Sequence, residues 1–534
     1  MVKGRIRATI GALRHGRSLG VPNLLLGALS IWTLVRLVAA ATIPMTEDEA
    51  YYRLWSQSMD FGYFDHPPMV AWWIAIGQSL LGDNPLGARI LAVLSTTLTS
   101  LLIYGIAREC RLSFATASMA SIWYNATLLA GFGGQLIVPD GPSTLFWSLT
   151  LFSLLRARCG PPGWWLAAGV SAGLAVLSKY SALFIAPGCV LWLASSAEGR
   201  RRFLSPWPWL CAACAVGIAS TNVLWNAAHH WVSFEKQFGR AAPDRLTLTH
   251  VAELIASQAV LLNPFMTPLA IAGVRLGLRS RTAALDGLWM LTAFALPFAD
   301  YLVVHSLHAG VQGHWPAPLY PGLSVLAAAA AHGAGRWRTI CRNLLAPTGS
   351  AVAVLVLFHL MWPATDWFGR MDLTGQLRDW PRFATSIERT RLEAGAGWVG
   401  SLSFGQVALL ENTRQIRAPI LQITERARYA FAKPPPSAAL GRPGLIVDLS
   451  RRVTAQDLST CFRSVIPLGQ IERGLPSTVP PALQRFGLGP RHYTYAVFRV
   501  DGAKVDIVKD GCWEAKTLAD SLRARSKRSG AIFK

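Results

Sequence analysis

A polytopic α-helical membrane protein with a C-terminal α/β domain on its outer face is the fold the sequence predicts. Three observations carry that expectation. Of the 534 residues, 52% are hydrophobic and only 15% charged, and the mean hydropathy is +0.33, too apolar for a soluble chain of this length. Eleven apolar runs are long enough, or nearly so, to cross a hydrocarbon core of about 30 Å. They lie at about 21–43, 86–107, 112–131, 138–155, 164–178, 181–196, 207–227, 251–274, 285–304, 316–332 and 343–363. Beyond residue 363 the runs stop, and helical stretches alternate with strand-like runs such as "GWVGSLSF", "GLIVDLS" and "YTYAVFRVD".

The first run follows the basic "MVKGRIRATIGALRHGRSLG" and is too long for a signal h-region, so it reads as a retained first helix. A net charge of +22 could suggest nucleic acid, but no recognition motif accompanies it. The basic residues instead mark topology. Arg108 and Arg111, Arg156 and Arg158, "GRRR" at 199–202, Arg275, Arg279 and Arg281, and Arg336, Arg338 and Arg342 all fall on the side of the N-terminus, which is therefore cytoplasmic. The first opposite loop, 44–84, carries Glu47, Asp48, Glu49, Asp60, Asp65 and Asp83 against Arg53 alone. Its segments "AYYRLWSQSM" and "PMVAWWIAIGQSLL" are aromatic, amphipathic and too short to span, which suits helices lying in the membrane interface.

The chain thus divides into a membrane module, 1–363, and a soluble domain, 364–534, in which "KPPPSAALGRPG" reads as a loop. Long domains translocate regardless of charge, so this domain is expected in the periplasm. Among eight cysteines, the Cys211–Cys214 CxxC sits inside a span and reads as small-residue helix packing. Cys461 and Cys512 could form a disulfide if the soluble domain is periplasmic.

Four outer-face stations hold polar groups for which an apolar chain has little structural use. In "TEDEAYYRLW" a carboxylate shielded by aromatics can have its pKa raised enough to act as a general base, or can stay ionised to orient a hydroxyl. A solvated acidic loop that merely sets topology is the competing account. In "GYFDHPP", Pro67 and Pro68 stiffen the chain and present Asp65 and His66, which could bind phosphate or shuttle a proton. Taken alone, the motif reads first as a turn with a hydrogen-bonded histidine. In "GGQLIVPDGP", Asp140 stands at the start of a span, as an N-cap or as a second carboxylate facing a cavity. In "LSKYS", Lys179 ends a run that rises only about 22 Å, so its charge needs a partner or a wet cavity unless it snorkels; phosphate is a natural partner. Arg36, near the outer end of the first span, reads as a snorkelling residue.

Two further outer loops, "HHWVSFEKQFGR" and "HAGVQGHWPAPLY", add Lys236, Arg240, His305, His308 and His314, with Trp231, Trp315 and Tyr320 as aromatics. None of the histidines shows paired-ligand spacing, so no metal is assigned. What emerges is an outer cavity, lined also by Tyr51, Tyr52 and Asp65, with carboxylates on one part and cations on another. It suits a substrate that carries a phosphate beside a group that must lose a proton.

"TEDEAYY", "GYFDHPP", "VPDGP", "LSKYS" and "HWPAPLY", in this order and on these positions, resemble the bacterial branch of the GT-C membrane glycosyltransferases. That branch is related to the protein O-mannosyltransferases and to the lipid A aminoarabinose transferase. The resemblance covers roughly residues 20–335. It implies a GT-C fold, a cavity at the outer membrane surface, a polyprenyl-phosphate sugar as donor and no obligatory cofactor. It makes Asp48 the catalytic base with Glu49 as its neighbour, Asp140 the second functional acid, and Lys179 the donor-phosphate ligand. His66 stands where the aminoarabinose transferase has a phosphate-binding lysine, and Arg240 is placed like a phosphate-binding arginine. The expected reaction is inverting transfer, at the periplasmic face of a bacterial inner membrane, to lipid A or lipopolysaccharide core, with protein or another envelope glycan as the alternative acceptor. The rival is a lipid transporter or flippase, which predicts interrupted helices at matching positions of two halves. No such repeats are visible, and the polar stations gather on one face.

Overall fold

The computed structural model describes residues 21–239, 246–281, 286–362, 372–475, 479–480, 482 and 491–513. Each of the eleven apolar runs contains a helix. Among the described residues five helices are both long and apolar enough to cross a membrane: Asn23–Thr42, Pro85–Glu109, Pro206–Ala228, Gly287–Ser306 and Arg336–Met361. Asp140–Cys159 is as long but ends in Arg156 and Arg158, and Gly163–Ser178 is shorter.

Two predicted spans are broken. The run 112–131 is helical only over Phe114–Asn125, which rises about 18 Å. The chain then turns, and Thr127 caps a single further turn, Leu128–Gly131. The run 251–274 is two helices, Thr249–Leu261 and Met266–Arg279, bent by 103°. Asn263 has a left-handed backbone (φ 87°) immediately before Pro264, and that pair ends the first helix. The last span packs tightly on the first break. At Gly349 a Cβ would sit 1.9 Å from the Ala126 carbonyl oxygen, so only glycine permits the approach.

The basic turns share one end of the bundle. Arg156 pairs with Glu109 at 2.9 Å, Arg158 donates to the Glu109 carbonyl, and Arg202 donates to the Arg158 carbonyl. The acidic loop lies at the other end of the same helices. In it, Glu47–Trp55 and Met69–Leu81 are the two helices expected there. Cys211 and Cys214 are free thiols packed against Gly169 of the neighbouring helix, as their small size suggests.

Arg36 does not snorkel. It is buried, donates to the Asn125 side chain at 2.7 Å and to the Ala130 carbonyl at 3.0 Å, and so ties the first span to the broken one. The carbonyls freed by the break need donors, and a guanidinium supplies several from one side chain.

The C-terminal part forms a five-stranded sheet: β1 (Trp398–Ser401), β2 (Ile420–Gln422), β3 (Gly444–Leu449), β4 (Phe462–Arg473) and β5 (Tyr493–Ala503). Their order is β2-β1-β3-β5-β4, with β1 parallel to β2 and β3, and β5 antiparallel to β3 and β4. Strands β1, β3 and β5 are the three strand-like runs of the sequence. Edge strand β4 is mostly exposed and bulges between Pro467 and Gly469, which hides it from pattern reading. Cys461 and Cys512 are joined as a disulfide. The sheet domain sits on the acidic loop: helix Phe404–Thr413 lies against Glu47–Trp55, close enough that a Cβ on Gly405 would meet the Glu47 side chain at 2.5 Å. Arg53 pairs with Asp83 at 2.5 Å and reaches Asn412, while Arg414 pairs with Asp83 from the other side. One apolar core therefore runs from Tyr51, Trp55 and Trp73 into Phe383, Val407 and Leu445.

Candidate active site

Where the helical bundle, the acidic loop and the sheet domain meet, they enclose a cavity of about 1010 Å³. Asp48, Tyr51, Tyr52, Asp65, His66, Asp140, Lys179, His314 and Trp315 all line it, although they come from four well-separated stretches of sequence. Its lining also includes the apolar side chains of Leu128, Leu129, Phe132, Leu136, Phe184, Leu261 and Phe298.

The helix that carries the acidic cluster begins with a capping box. Thr46 Oγ1 accepts from the Glu49 amide at 3.2 Å, and Glu49 Oε2 accepts from the Thr46 amide at 3.0 Å. Successive residues on a helix point about 100° apart, so the three carboxylates diverge. Glu49 turns into the bundle, where Arg89 Nε and Nη2 hold its two oxygens at 2.7 Å each and the Ile137 amide adds a third donor at 3.0 Å. Both side chains are fully buried. Burial works against its charge, but Arg89 and these hydrogen bonds prevail and hold the Glu49 carboxyl below the ordinary range. The assignment of Glu49 to the catalytic set is thereby corrected: it does not line the cavity, and its oxygens are already occupied. Its partner Arg89 went unnoticed in the sequence, where it stands at the start of an otherwise plain apolar run.

Asp48 is the opposite case. It makes no hydrogen bond or ion pair among the described residues, and its carboxylate is open to the cavity. Enclosure by the cavity walls, reinforced by repulsion from Glu47, Asp65 and Glu49, raises its pKa to about 6, with Arg428 opposing the rise. It is therefore ionised at neutral pH and basic enough to take a proton.

Asp140 is not an N-cap. Pro139 occupies that position, no side-chain cap forms, and the carboxylate instead accepts from Lys179 Nζ at 2.6 Å. His314 Nε2 stands 3.7 Å from its second oxygen. Lys179 reaches this point because the helix Gly163–Ser178 stops one residue earlier: Lys179 is extended (φ −159°, ψ 135°) and a tight turn, Tyr180–Phe184, follows. The lysine is buried and paired, so it does not snorkel. Burial and the nearby Lys179 lower the His314 pKa against the pull of Asp140, so this ring is neutral at pH 7.

His66 faces the cavity, with its ring 6.0 Å from that of Tyr52. Its neighbour Asp65 is engaged elsewhere, accepting from Arg428 Nη1 at 2.6 Å and from the Tyr51 hydroxyl at 3.2 Å. Arg428 belongs to the sheet domain and reaches the cavity wall; nothing in the polar C-terminal sequence singles it out. Arg240 lies outside the described residues. Among those described, no group of three or more His, Cys, Asp or Glu side chains is close enough to hold a metal ion.

The arrangement brings together in one chamber a carboxylate with no hydrogen bond or ion pair among the described residues, an acid–lysine pair, a histidine and several apolar side chains. Comparisons with known proteins bear on the fold and the family resemblance. The family described as "Dolichyl-phosphate-mannose-protein mannosyltransferase" matches residues 65–225. The chain is 27% identical over 316 residues to the lipid A galacturonosyltransferase RgtD of Rhizobium johnstonii, covering 56% of this chain and 63% of that protein. It is 32% identical over 180 residues to an undecaprenyl phosphate-α-4-amino-4-deoxy-L-arabinose arabinosyl transferase of Pseudomonas fluorescens, covering 32% of this chain and 30% of that one. In both cases the chain spans less than two thirds of the relative's length. Among solved structures, ArnT from Cupriavidus metallidurans bound to undecaprenyl phosphate superposes with a TM-score of 0.60 at 14% identity, over 89% of this chain and 98% of that one. The mycobacterial arabinofuranosyltransferase AftD gives a TM-score of 0.51 at 11% identity, over 90% of this chain and 40% of that one. The fold is thus that of the GT-C glycosyltransferases, and the resemblance carried by the five motifs is borne out.

Proposed function

We propose that the protein is an inverting glycosyltransferase that moves a sugar from a polyprenyl-phosphate donor to an envelope acceptor, lipid A or lipopolysaccharide core before protein or another glycan. The observation that carries this reading is the presence, in one cavity, of the Asp48 carboxylate, unengaged among the described residues, with the Lys179–Asp140 pair and an apolar lining. The apolar lining suits isoprenoid chain, Lys179 and His66 suit the phosphate, and Asp48 lines the same chamber. The similarity to a lipid A galacturonosyltransferase supports the acceptor.

In the proposed step Asp48 takes the proton of the acceptor hydroxyl as its oxygen attacks the anomeric carbon. The bond from that carbon to the phosphate oxygen breaks, and its electron pair leaves with the polyprenyl phosphate. Lys179 shifts its proton donors from Asp140 toward the departing phosphate, with His66 assisting and Arg240 assigned to the same task. Asp140 holds Lys179 in place with His314 beside the pair, Tyr51 and Asp65 shape the wall beside Asp48, and Tyr52 and Trp315 bound the sugar. A phosphate is already a fair leaving group, so positioning and electrostatic stabilisation carry most of the acceleration. The scheme asks for no obligatory cofactor.

The same reading places the N-terminus in the cytoplasm, residues 1–363 across a bacterial inner membrane and residues 364–534, with the cavity mouth, in the periplasm. The Cys461–Cys512 disulfide supports the oxidising side for the sheet domain. The test is release of polyprenyl phosphate from a radiolabelled polyprenyl-phosphate sugar by purified protein, with lipid A as acceptor. Label reaching lipid A in the wild type and not in Asp48→Asn is the expected result. Lipid translocation across vesicles without sugar transfer overturns the reading in favour of a flippase.

A further inference from the structure

One wall of the cavity comes from the sheet domain, and the scheme above gives it no task. The turn Arg426–Tyr429 follows β2 and brings Arg428 against the acidic loop. Arg428 Nη1 donates to Asp65 at 2.6 Å and Nε to Glu425 at 2.8 Å, and the guanidinium lies 4.4 Å over the Phe404 ring. The Arg428 carbonyl accepts from the Tyr51 hydroxyl at 2.7 Å. From the helix Val232–Phe238, Lys236 reaches Glu425 at 3.2 Å, and Gln237 donates to the Asp65 carbonyl at 2.5 Å. Three separate elements thus fix Asp65, the residue before His66.

The turn itself is held from behind. The Cys512 amide donates to the Ile423 carbonyl at 2.7 Å, Thr424 bridges to Trp513, and Arg426 Nε donates to the Val508 carbonyl at 2.8 Å. The Cys461–Cys512 bond fastens this strip to the start of β4. Glu425 stands in the left-handed region (φ 37°), which a non-glycine side chain keeps only where its surroundings impose it.

We propose that Arg428, delivered by this disulfide-fastened turn, is a positioning residue of the transfer reaction: it clamps the Asp65–His66 elbow to the cavity wall and supplies positive field to Asp48. The proposal rests on the transferase reading. Around Asp48 stand Glu47 and Glu49 from its own helix, Asp65 from the following loop and Arg428 from the sheet domain, and His66, Asp140, Lys179 and His314 line the same chamber. Removing Arg428 frees the Asp65 charge and withdraws the cation that opposes it. Protonation of Asp48 then becomes easier, and the acid limb of the rate profile moves to higher pH.

The experiment follows the pH dependence of kcat/KM with the full-length protein. The donors are polyprenyl-phosphate galacturonic acid and polyprenyl-phosphate 4-amino-4-deoxy-arabinose, and lipid A is the acceptor. In Arg428→Gln the acid limb is expected to rise by about half to one pH unit, with a loss of about tenfold or more at pH 7. Arg428→Lys restores the limb but not the full rate, because an ammonium cannot reproduce the forked contact. Asp65→Asn moves the limb the other way, which keeps the test decisive if Arg428→Gln does not fold. Arg414→Gln, at a surface contact, keeps the wild-type limb and rate. An unmoved limb in both Arg428→Gln and Asp65→Asn, whatever the rate, overturns the positioning role while wild-type turnover leaves the transferase reading standing. Wild-type protein that turns over neither donor removes both.

Discussion

Asp48 and Glu49 are adjacent carboxylates with opposite environments, so replacing each by its amide separates catalysis from stability. In Glu49→Gln the two contacts between opposite charges become at best one contact from the Arg89 cation to a neutral amide oxygen, and the Arg89 guanidinium stays fully buried without a counter-charge. Arg89 keeps its carbonyl acceptors on Ala40, Ile43 and Pro44, so the loss is that of an ion pair broken on one side, about 3–5 kcal/mol. At about 1.4 kcal/mol per decade this shifts the folded-to-unfolded ratio by roughly a hundredfold or more. Asp48→Asn removes no hydrogen bond and relieves repulsion from Glu47, so stability is unchanged or slightly higher, while loss of the general base lowers turnover by about 10²–10⁴. Thermal unfolding in detergent, followed by reaction of the buried Cys341 thiol, reads the first effect, and donor turnover reads the second. A Glu49→Gln variant that unfolds with the wild type yet has lost turnover refutes the reasoning and returns Glu49 to the catalytic set.

The Glu49 contribution depends on pH with a definite sign: its folded pKa is depressed, so the stabilisation is present above the unfolded value of about 4.3 and is lost as acid titrates the folded carboxylate. Acid unfolding of Arg89→Met, which lacks that pair, is therefore flatter below pH 4 than that of the wild type. Turnover has a different acid limit, falling as pH drops through about 6 with the protonation of Asp48, and a pH profile in detergent checks it. Lys179→Ala leaves Asp140 buried without its cation and removes the proposed phosphate ligand, so both expression and donor binding drop; Lys179→Arg retains the charge, and donor binding separates the two effects. Gly349→Leu forces a side chain against the Ala126 carbonyl and lowers the melting temperature by several degrees without touching the cavity, as a thermal scan measures.

Most of the cavity was legible because its residues are polar in runs that are otherwise apolar. Asp48, Asp140 and Lys179 stand out for that reason, and the short rise before Lys179 signals that its helix stops there. The same contrast misled where polarity serves packing. Arg36 looks like a snorkelling residue, yet it satisfies carbonyls freed by the break after Asn125, and that break carries no proline to announce it. The second break was readable from Asn263–Pro264 but was hidden by the length of the apolar run around it. Arg428 was invisible for the converse reason: within a polar domain an arginine is ordinary, and only the docking of helix Phe404–Thr413 on the acidic loop turns this one toward the cavity.

The position of three acids directly after the first apolar run follows from helix geometry. A capping box takes Glu or Gln at the third helical residue, and Glu49 fills that place while facing Arg89 in the adjacent span. That contact fixes the rotation of the helix. Asp48, one residue earlier, is then directed about 100° away, into the cavity, with Tyr52 one turn further along the same face. Glu47 falls on the third direction, against Gly405 of the sheet domain, where any larger residue would hold the two helices apart. Glu49 therefore addresses the bundle, Asp48 the chamber, and Glu47 both the chamber and the domain that closes it. A one-residue insertion between Thr46 and Asp48 would break the cap and turn a different carboxylate toward Arg89, so the cluster tolerates substitution at Glu47 better than any change of register.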